Sequence, residues 1–441
     1  METIWIKDIK AHRNCVTYHL DVSEGLVRYF SPSCEMFAEF GFDISNIPKS
    51  VLAVPVLSNI MQFAWLFDCL VWIEEVDQQF YECLPKIKRG FQEMYRNYRF
   101  GGSLIAAKVV NNDYHAEKES ALLFTGGVDA TTSFLRIRDS HPVLIDTFGW
   151  CVDKDEESRV FEADISAINK FAEENHLQTE YIKSNFATFI RPEIVNKYLN
   201  KRLHNSWWFG FQHSLAFLGV ASIVAYYYRI KTIYIGSSYT FGQAVNCVSD
   251  PRIDREFKVA SCNVVHDAYE LSRQEKIRMI VKAKEDFDLP INLRVCSFKE
   301  ENCNHCEKCF RTMIGIVAEG GNVNDFGFHV EGNFCEALAA FLRDNVKELD
   351  KDHIVFWRDI IARMAQNYNE LPDKETADYL TLFNFEKEKR ECLWRRKPDA
   401  QHLNGLFYPL DVYCIAGERV SWGVRTIHKC AFTAFPRKLG V

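Results

Sequence analysis

The hydrophobic pattern divides the chain into three stretches. Near the start, Thr3–Ile9 and Cys15–Leu20 alternate like paired strands, and Gly25–Phe30 reads as a third. Longer apolar runs over Ile47–Phe80 and Leu84–Asn97 predict helices. Ser103–Val110 is another strand, closed by a turn at Asn111-Asn112-Asp113. Residues 1–115 therefore read as an accessory α+β region, or an elaboration on the edge of the next domain. From 116 to 322 the pattern becomes strand–helix alternation, the mark of a parallel sheet. Strands are expected at Ala121–Phe124, Val143–Thr147, Gln178–Ile182 and Thr232–Ile235. Helices are expected at Thr131–Ser140, Asp164–Asn175, Pro192–Tyr198, Trp207–Tyr228 and Arg273–Phe287. Residues 323–441 look helical at Phe334–Lys347, His353–Tyr368 and Lys374–Phe383, then irregular, with Trp394, Tyr408, Tyr413, Trp422 and Phe432 read as core aromatics.

In an open α/β sheet, ligands bind beyond the carboxyl ends of the strands. Four candidate loops fall there: Thr125–Asp129, Asp146 to Gly149, Lys183 to Asn185 and Gly236 to Tyr239. The first is the most informative. A short apolar run ends in Thr125-Gly126-Gly127-Val128-Asp129-Ala130, and Thr131 and Thr132 then open a helix. Strand, glycine turn and helix N-terminus make an anion site, because backbone N–H groups and the helix end face the ligand. No Gly-Lys-Ser/Thr follows and no G-x-G-x-x-G is present, so neither a Walker A loop nor a dinucleotide fingerprint applies. A helix-capping role is the plain alternative for Asp129, turn initiation for Asp146, and a solvated side chain for Lys183.

Composition narrows the setting. The 441 residues carry a net charge of −7, which argues against general nucleic-acid binding. Residues 387–441 hold 11 Lys/Arg against 5 Asp/Glu, a basic tail on an acidic body. Fifteen cysteines and an opening without a basic-then-apolar leader point to a reducing cytoplasm, not a disulfide scaffold. Asn205–Tyr228 is long and apolar enough to span a bilayer, but its place in the α/β alternation favours a buried helix, as do the polar residues of Val51–Ile73. His213 on that helix reads as a core histidine. His266-Asp267 reads as a structural pair or an oriented base, and Arg273 and Lys276 either face the anion site or decorate a helix.

Cys296-x6-Cys303-x2-Cys306-x2-Cys309 stands apart from the other cysteines. Four thiolates at these gaps can close a tetrahedral shell, the geometry of structural zinc. An iron–sulfur cluster is the alternative, and His305 could stand in for one thiolate.

The loop resembles the Ser-Gly-Gly-x-Asp-Ser loop of the PP-loop ATP pyrophosphatases, with Thr125 keeping the first hydroxyl and Ala130 lacking the last. The segment Asn302-Cys-Asn-His-Cys-Glu-Lys-Cys-Phe-Arg-Thr-Met313 is similar to the zinc loop of 7-cyano-7-deazaguanine synthase and its QueC-like relatives. The resemblance covers roughly residues 118 to 320. The family's Tyr-Pro-Asp-Cys-Arg motif is absent where this chain reads Gly236-Ser-Ser-Tyr-Thr-Phe-Gly and Ser249-Asp-Pro-Arg-Ile-Asp254.

The resemblance implies an adenine nucleotide alpha hydrolase-like core with a four-cysteine zinc knot, and an enzyme using ATP, Mg2+ and Zn2+. A carboxylate, favoured as a 7-carboxy-7-deazaguanine-type acid, would attack the α-phosphorus. Pyrophosphate would leave, and an amine (ammonia or a protein amine) would displace AMP. Thr125, Asp129 and Thr131 would be catalytic, with Asp129 on Mg2+. Gly126, Gly127, Val128, Thr132, Asp146, Lys183 and Ser237 would complete the nucleotide site. Enlarged relatives resemble antiphage-defence components, which implies a protein partner for the terminal additions. The alternatives are a PP-loop enzyme acting on a sugar, peptide or transfer RNA, for which Cys151 and Cys262 are free thiols, and a nucleotide-binding subunit without turnover, suggested by Ala130.

Overall fold

The computed structural model describes residues 1–149, 155–287, 289–296, 301–349 and 351–389, and a short ladder between Asp411–Tyr413 and Arg419–Ser421. Cys151, Trp394, Tyr408, Trp422, Phe432 and nearly all of the basic tail lie outside the described residues.

Eleven strands form one mixed sheet: β1 (Thr3–His12), β2 (Cys15–Val22), β3 (Glu35–Glu39), β4 (Leu70–Asp77), β5 (Ser103–Val110), β6 (Lys118–Leu123), β7 (Val143–Phe148), β8 (Thr179–Ser184), β9 (Ile230–Gly236), β10 (Lys258–Val259) and β11 (Cys262–Asp267). Their spatial order is β10-β11-β9-β6-β7-β8-β3-β2-β1-β4-β5. The segment β8-β7-β6-β9-β11 is parallel throughout. The chain runs outward from β6 through β7 to β8, then returns to lay β9 and β11 on the other side of β6. This reversal makes the gap between β6 and β9 a topological switch point, where α/β sheets open a crevice for ligands.

The N-terminal strands continue this sheet, with β3 pairing antiparallel to β8 through Ala38↔Ser184 and Glu39↔Lys183. They share one buried cluster with the parallel half. Ile4, Val16, Tyr18 and Val71 belong to it together with Ala121, Ile145, Ile182 and Ile233. The predicted hairpin of β1 and β2 is present, and β5 has the predicted bounds. Two expectations differ. Glu24–Tyr29 is a 3-10 helix, and the third strand is β3, where Met36 and Ala38 alternate inward. The expected helix over 47–80 stops at Phe67, capped by Asp68 in the left-handed conformation (φ 53°). The chain then enters strand β4, whose Val71 and Ile73 are buried beside the exposed Trp72. An unbroken apolar run hid the change of period from helix to strand.

The long apolar helix begins with a π turn, Trp208–Gln212, and continues as His213–Tyr227. Its membrane-length window is fully buried inside the fold, packed against the helix Val54–Phe67. A helix apolar all round is what a two-sided core position requires. Beyond β11, the helix Arg273–Phe287 leads to the cysteine segment and the helix Glu307–Ala318. The helices Phe334–Asn345, Lys351–Asn367 and Lys374–Leu382 then complete a second buried cluster around Met313, Leu338 and Trp357.

Candidate functional site

The glycine loop leaves β6 at the switch point. Gly126 has φ 77°, a conformation open to glycine at little cost and strained for other residues. Gly127 is the N-cap of the helix Val128–Ile137, with no side chain covering the first N–H groups. Those groups are the unsatisfied donors that suit an anion. Gly236, at the end of β9, lets the two elements meet: a Cβ there would lie 2.7 Å from the Asp129 carbonyl oxygen. The Arg294 N–H donates to the Gly126 carbonyl at 2.9 Å, fixing the loop from the cysteine side.

A partly open cleft lies over this junction. Thr125, Gly127, Asp129 and Ala130 of the loop line it together with Asp146, Thr147, His213, Ser238 and Ser249, among apolar side chains such as Phe124, Ile145 and Ile235. Two cations stand behind the loop. Arg273 Nη1 donates to Asp129 Oδ2 at 2.9 Å, and Lys276 Nζ to Asp129 Oδ1 at 3.0 Å, all three side chains being nearly buried. Lys276 also contacts the Ser237 carbonyl. Arg273 and Lys276 thus belong to the site and are not surface decoration. The arrangement does not fit the expectation of Asp129 as a magnesium ligand. Both oxygens are already paired, and an added dication would sit against two positive side chains.

The remaining expected residues occupy varied positions. Thr131 Oγ1 points to the Gly126 carbonyl at 3.5 Å, and Thr132 Oγ1 donates to the Val128 carbonyl at 2.8 Å. The Thr132 hydroxyl turns into its own helix and that of Thr131 toward the loop backbone, and neither residue lines the cleft, nor does Val128. Ser237 is buried, its hydroxyl donating to the Tyr239 carbonyl at 2.6 Å, while its neighbour Ser238 lines the cleft. Lys183 is exposed, its Nζ 5.9 Å from the Phe161 ring centroid, and it does not line the cleft. Asp146 is in the cleft. Oδ1 accepts from the Thr147 N–H at 2.8 Å, whereas the buried Oδ2 has no hydrogen-bond partner among the described residues. Burial pushes its carboxyl from an ordinary 3.8 up to about 7, against the opposing pull of the Thr147 N–H and Arg294.

Sequence reasoning read His213 as a hydrogen-bonded core histidine, and its ring is buried with Nδ1 on the Trp208 carbonyl and Nε2 beside the Cys247 thiol. It also lines the cleft. Burial lowers its pKa to about 4, so the ring is neutral near pH 7. Nδ1 lies 2.9 Å from the Trp208 carbonyl, which only accepts, so Nδ1 carries the proton. The π turn that offers this carbonyl had no signal in the apolar run. Nearby, Asp254 Oδ2 accepts from Ser249 Oγ at 3.0 Å and from His266 Nδ1 at 2.8 Å. His266 is therefore oriented by Asp254, not by the adjacent Asp267, which pairs with Arg136.

The four cysteines come together as spaced. Their Sγ atoms all lie within 4.8 Å of one another, with Cys303 and Cys309 3.9 Å apart. Four bonds of about 2.3 Å in a tetrahedron set sulfurs about 3.8 Å apart, so the cluster fits a metal such as zinc. Asn302 braces the turn. Its Oδ1 accepts from the Val295 and Cys296 N–H groups, and its Nδ2 donates to the Leu293 and Gly327 carbonyls.

The fold and site define an α/β protein with a crevice at the switch point of a parallel sheet and a separate four-cysteine cluster. No protein-family model, curated protein or solved structure matches the chain.

Proposed function

We propose that the protein is an ATP-dependent, carboxylate-adenylating enzyme resembling the QueC-like PP-loop group, acting in the cytoplasm. The favoured acid is of the 7-carboxy-7-deazaguanine type, transferred to ammonia or a protein amine, and the family resemblance extends this to bacterial antiphage defence. The observation that carries the nucleotide reading is the Thr125–Asp129 loop, which opens at the sheet's switch point into a cleft backed by Arg273 and Lys276. Adenylation asks the protein mainly for phosphate neutralisation, alignment and exclusion of water. In this reading the helix N-terminus and the Thr125 hydroxyl meet the phosphates. The two cations leave Asp129 in part to share the developing pyrophosphate charge. Mg2+ arrives on the nucleotide's own oxygens, since the loop carboxylate is paired. Zinc holds Cys296, Cys303, Cys306 and Cys309 and supports the segment around Arg294 that clamps the loop.

Pyrophosphate release from ATP in the presence of 7-carboxy-7-deazaguanine, followed with AMP and adduct mass, tests this. Release that requires the acid and falls by about a hundredfold in Lys276→Gln is the expected result. A second reading, a nucleotide-binding subunit without turnover, draws on Ala130. It lines the cleft where the related loop carries a hydroxyl, and Thr131 and Thr132 do not replace it. ATP binding without pyrophosphate release across a panel of carboxylates and amines selects that reading.

A further inference from the structure

We propose that the outward face of β1, β4 and β5 is an interface between two copies of this chain, packed face to face about a two-fold axis. The inference is independent of the nucleotide reading, because none of the residues lining the cleft is on these strands. It starts from the alternation along the strands. Ile4 and Ile6 on β1, and Val71 and Ile73 on β4, turn into the core, so Trp5 and Trp72 between them turn outward. Trp5 and Trp72 are register partners on neighbouring parallel strands, and Trp72 is in turn the partner of the half-buried Ile105 on β5. Residues at one register level share a face, so the three form a row with strands about 4.8 Å apart. The two tryptophans are 52% and 44% exposed. Scattered exposed apolar residues are ordinary, whereas adjacent tryptophans backed by an aliphatic side chain have the composition of an interface centre.

The charges around the row say which partner fits. Lys7 Nζ lies 4.1 Å from the Trp5 ring centroid and 2.8 Å from Asp21 Oδ2 on β2. Lys10 pairs with Asp8 at 3.4 Å, and Lys49 pairs with Glu74. These cations are committed to acids, so they leave little positive charge to draw nucleic-acid phosphates. Both signs interspersed around an apolar row suit a second copy of the same surface, since a two-fold interface has to complement itself. The size is adequate. β2, β1, β4 and β5 have 8, 10, 8 and 8 residues. At about 4.8 Å between strands and about 3.3 Å per residue they present roughly 500 Å2, so two copies bury about 1,000 Å2, the lower bound of a specific interface.

Sedimentation equilibrium on the full chain reads the mass, with a reductant present so that free thiols do not cross-link it. Wild type is expected to pass from one chain to two within about 1–100 μM, as suits a small interface. Trp5→Ser and Trp72→Ser each weaken association by about thirtyfold or more. Ala107→Arg acts in the same direction. It adds bulk and charge at an exposed position on the face of Ile105 and removes no packed side chain, so it carries the test if a tryptophan variant fails to fold. Leu382→Ser, at a residue 84% exposed on a helix outside the sheet, leaves association unchanged. Far-UV circular dichroism equal to wild type shows that each variant is folded. A wild type that keeps the mass of one chain at about 100 μM overturns the inference and leaves the face to the basic tail or to a different protein. A two-chain mass that persists unchanged in Trp72→Ser and Ala107→Arg also overturns it, placing the contact elsewhere.

Discussion

The glycine loop and the cysteine segment touch through the Arg294 N–H and the Gly126 carbonyl, yet they are built on opposite plans. The cysteine cluster brings four like ligand atoms together over fourteen residues of chain, and thiolates gathered so closely repel until a cation joins them. The loop carries its counter-charges already. Asp129 is neutralised by Arg273 and Lys276, which reach it from 144 and 147 residues along the chain. One site is incomplete without its metal, and the other is self-paired until an anion competes. The cysteine site should therefore respond to metal removal and the loop to anions.

Metal removal gives the largest expected effect. Cys309→Ser, at a fully buried ligand position, should lower bound zinc from about one per chain to near zero and cost roughly 5 kcal/mol or more. Elemental analysis alongside thermal unfolding checks this. Because residues 293–296 clamp the loop, pyrophosphate affinity should fall as well. An absorbance band of bound iron in place of zinc would assign the cluster to iron–sulfur chemistry.

Next comes the loop's internal pairing. Asp129→Ala leaves two buried cations facing each other and should cost about 3–5 kcal/mol in urea unfolding. Pyrophosphate at saturating concentration should return much of that loss, and stabilise the variant more than it stabilises wild type. A strict requirement for Mg2+ in wild-type pyrophosphate binding would show instead that Asp129 serves a metal.

The contrast also explains what could be read from the chain. The cysteine spacing is local, so its geometry was legible without a fold. The strands β6, β7 and β9, the glycine turn and the helix after it were legible for the same reason, each being a short-range pattern. The surroundings of the loop were not. That Arg273 and Lys276 turn inward onto Asp129 depends on contacts between distant segments. His213 shows the limit well. Its neighbours Phe211, Leu215 and Phe217 give no period that separates a cleft wall from a core, and its chemistry is set by a backbone carbonyl exposed by a π turn.

A pH series sharpens the comparison on the cleft side. The Asp146 carboxyl is raised in the fold, so the folded protein holds its proton between about pH 4 and pH 7 while the unfolded chain has released it. Stability contributed by the protonated form is complete below pH 4 and is lost as pH rises toward 7, a cost of about 4 kcal/mol above that. Asp146→Asn removes the titration. The variant's advantage over wild type in denaturant midpoint should grow from pH 4 to 7 and then level. A flat difference across that range would mean that Asp146 is solvated or paired in solution.

The smallest effects come from the two loop glycines, and they separate folding from binding. Gly126→Ala places a Cβ at φ 77°, which costs about 1–2 kcal/mol of backbone strain whatever the cleft holds. Gly127 has an ordinary φ of −75°, and its added Cβ would find Thr125 Oγ1 at 3.8 Å and the Arg294 carbonyl at 3.9 Å, both ordinary contacts. Gly127→Ala should therefore fold within about 0.5 kcal/mol of wild type. Gly127 nevertheless lines the cleft, and a methyl group there keeps an anion from the N–H groups of the helix end. The expected outcome is unchanged unfolding with pyrophosphate affinity reduced about tenfold or more, read by calorimetry on the same preparation. Equal affinity in Gly127→Ala and wild type would move the anion away from the helix N-terminus, leaving Gly126 as a turn residue and Arg273 with Lys276 as partners of Asp129 alone.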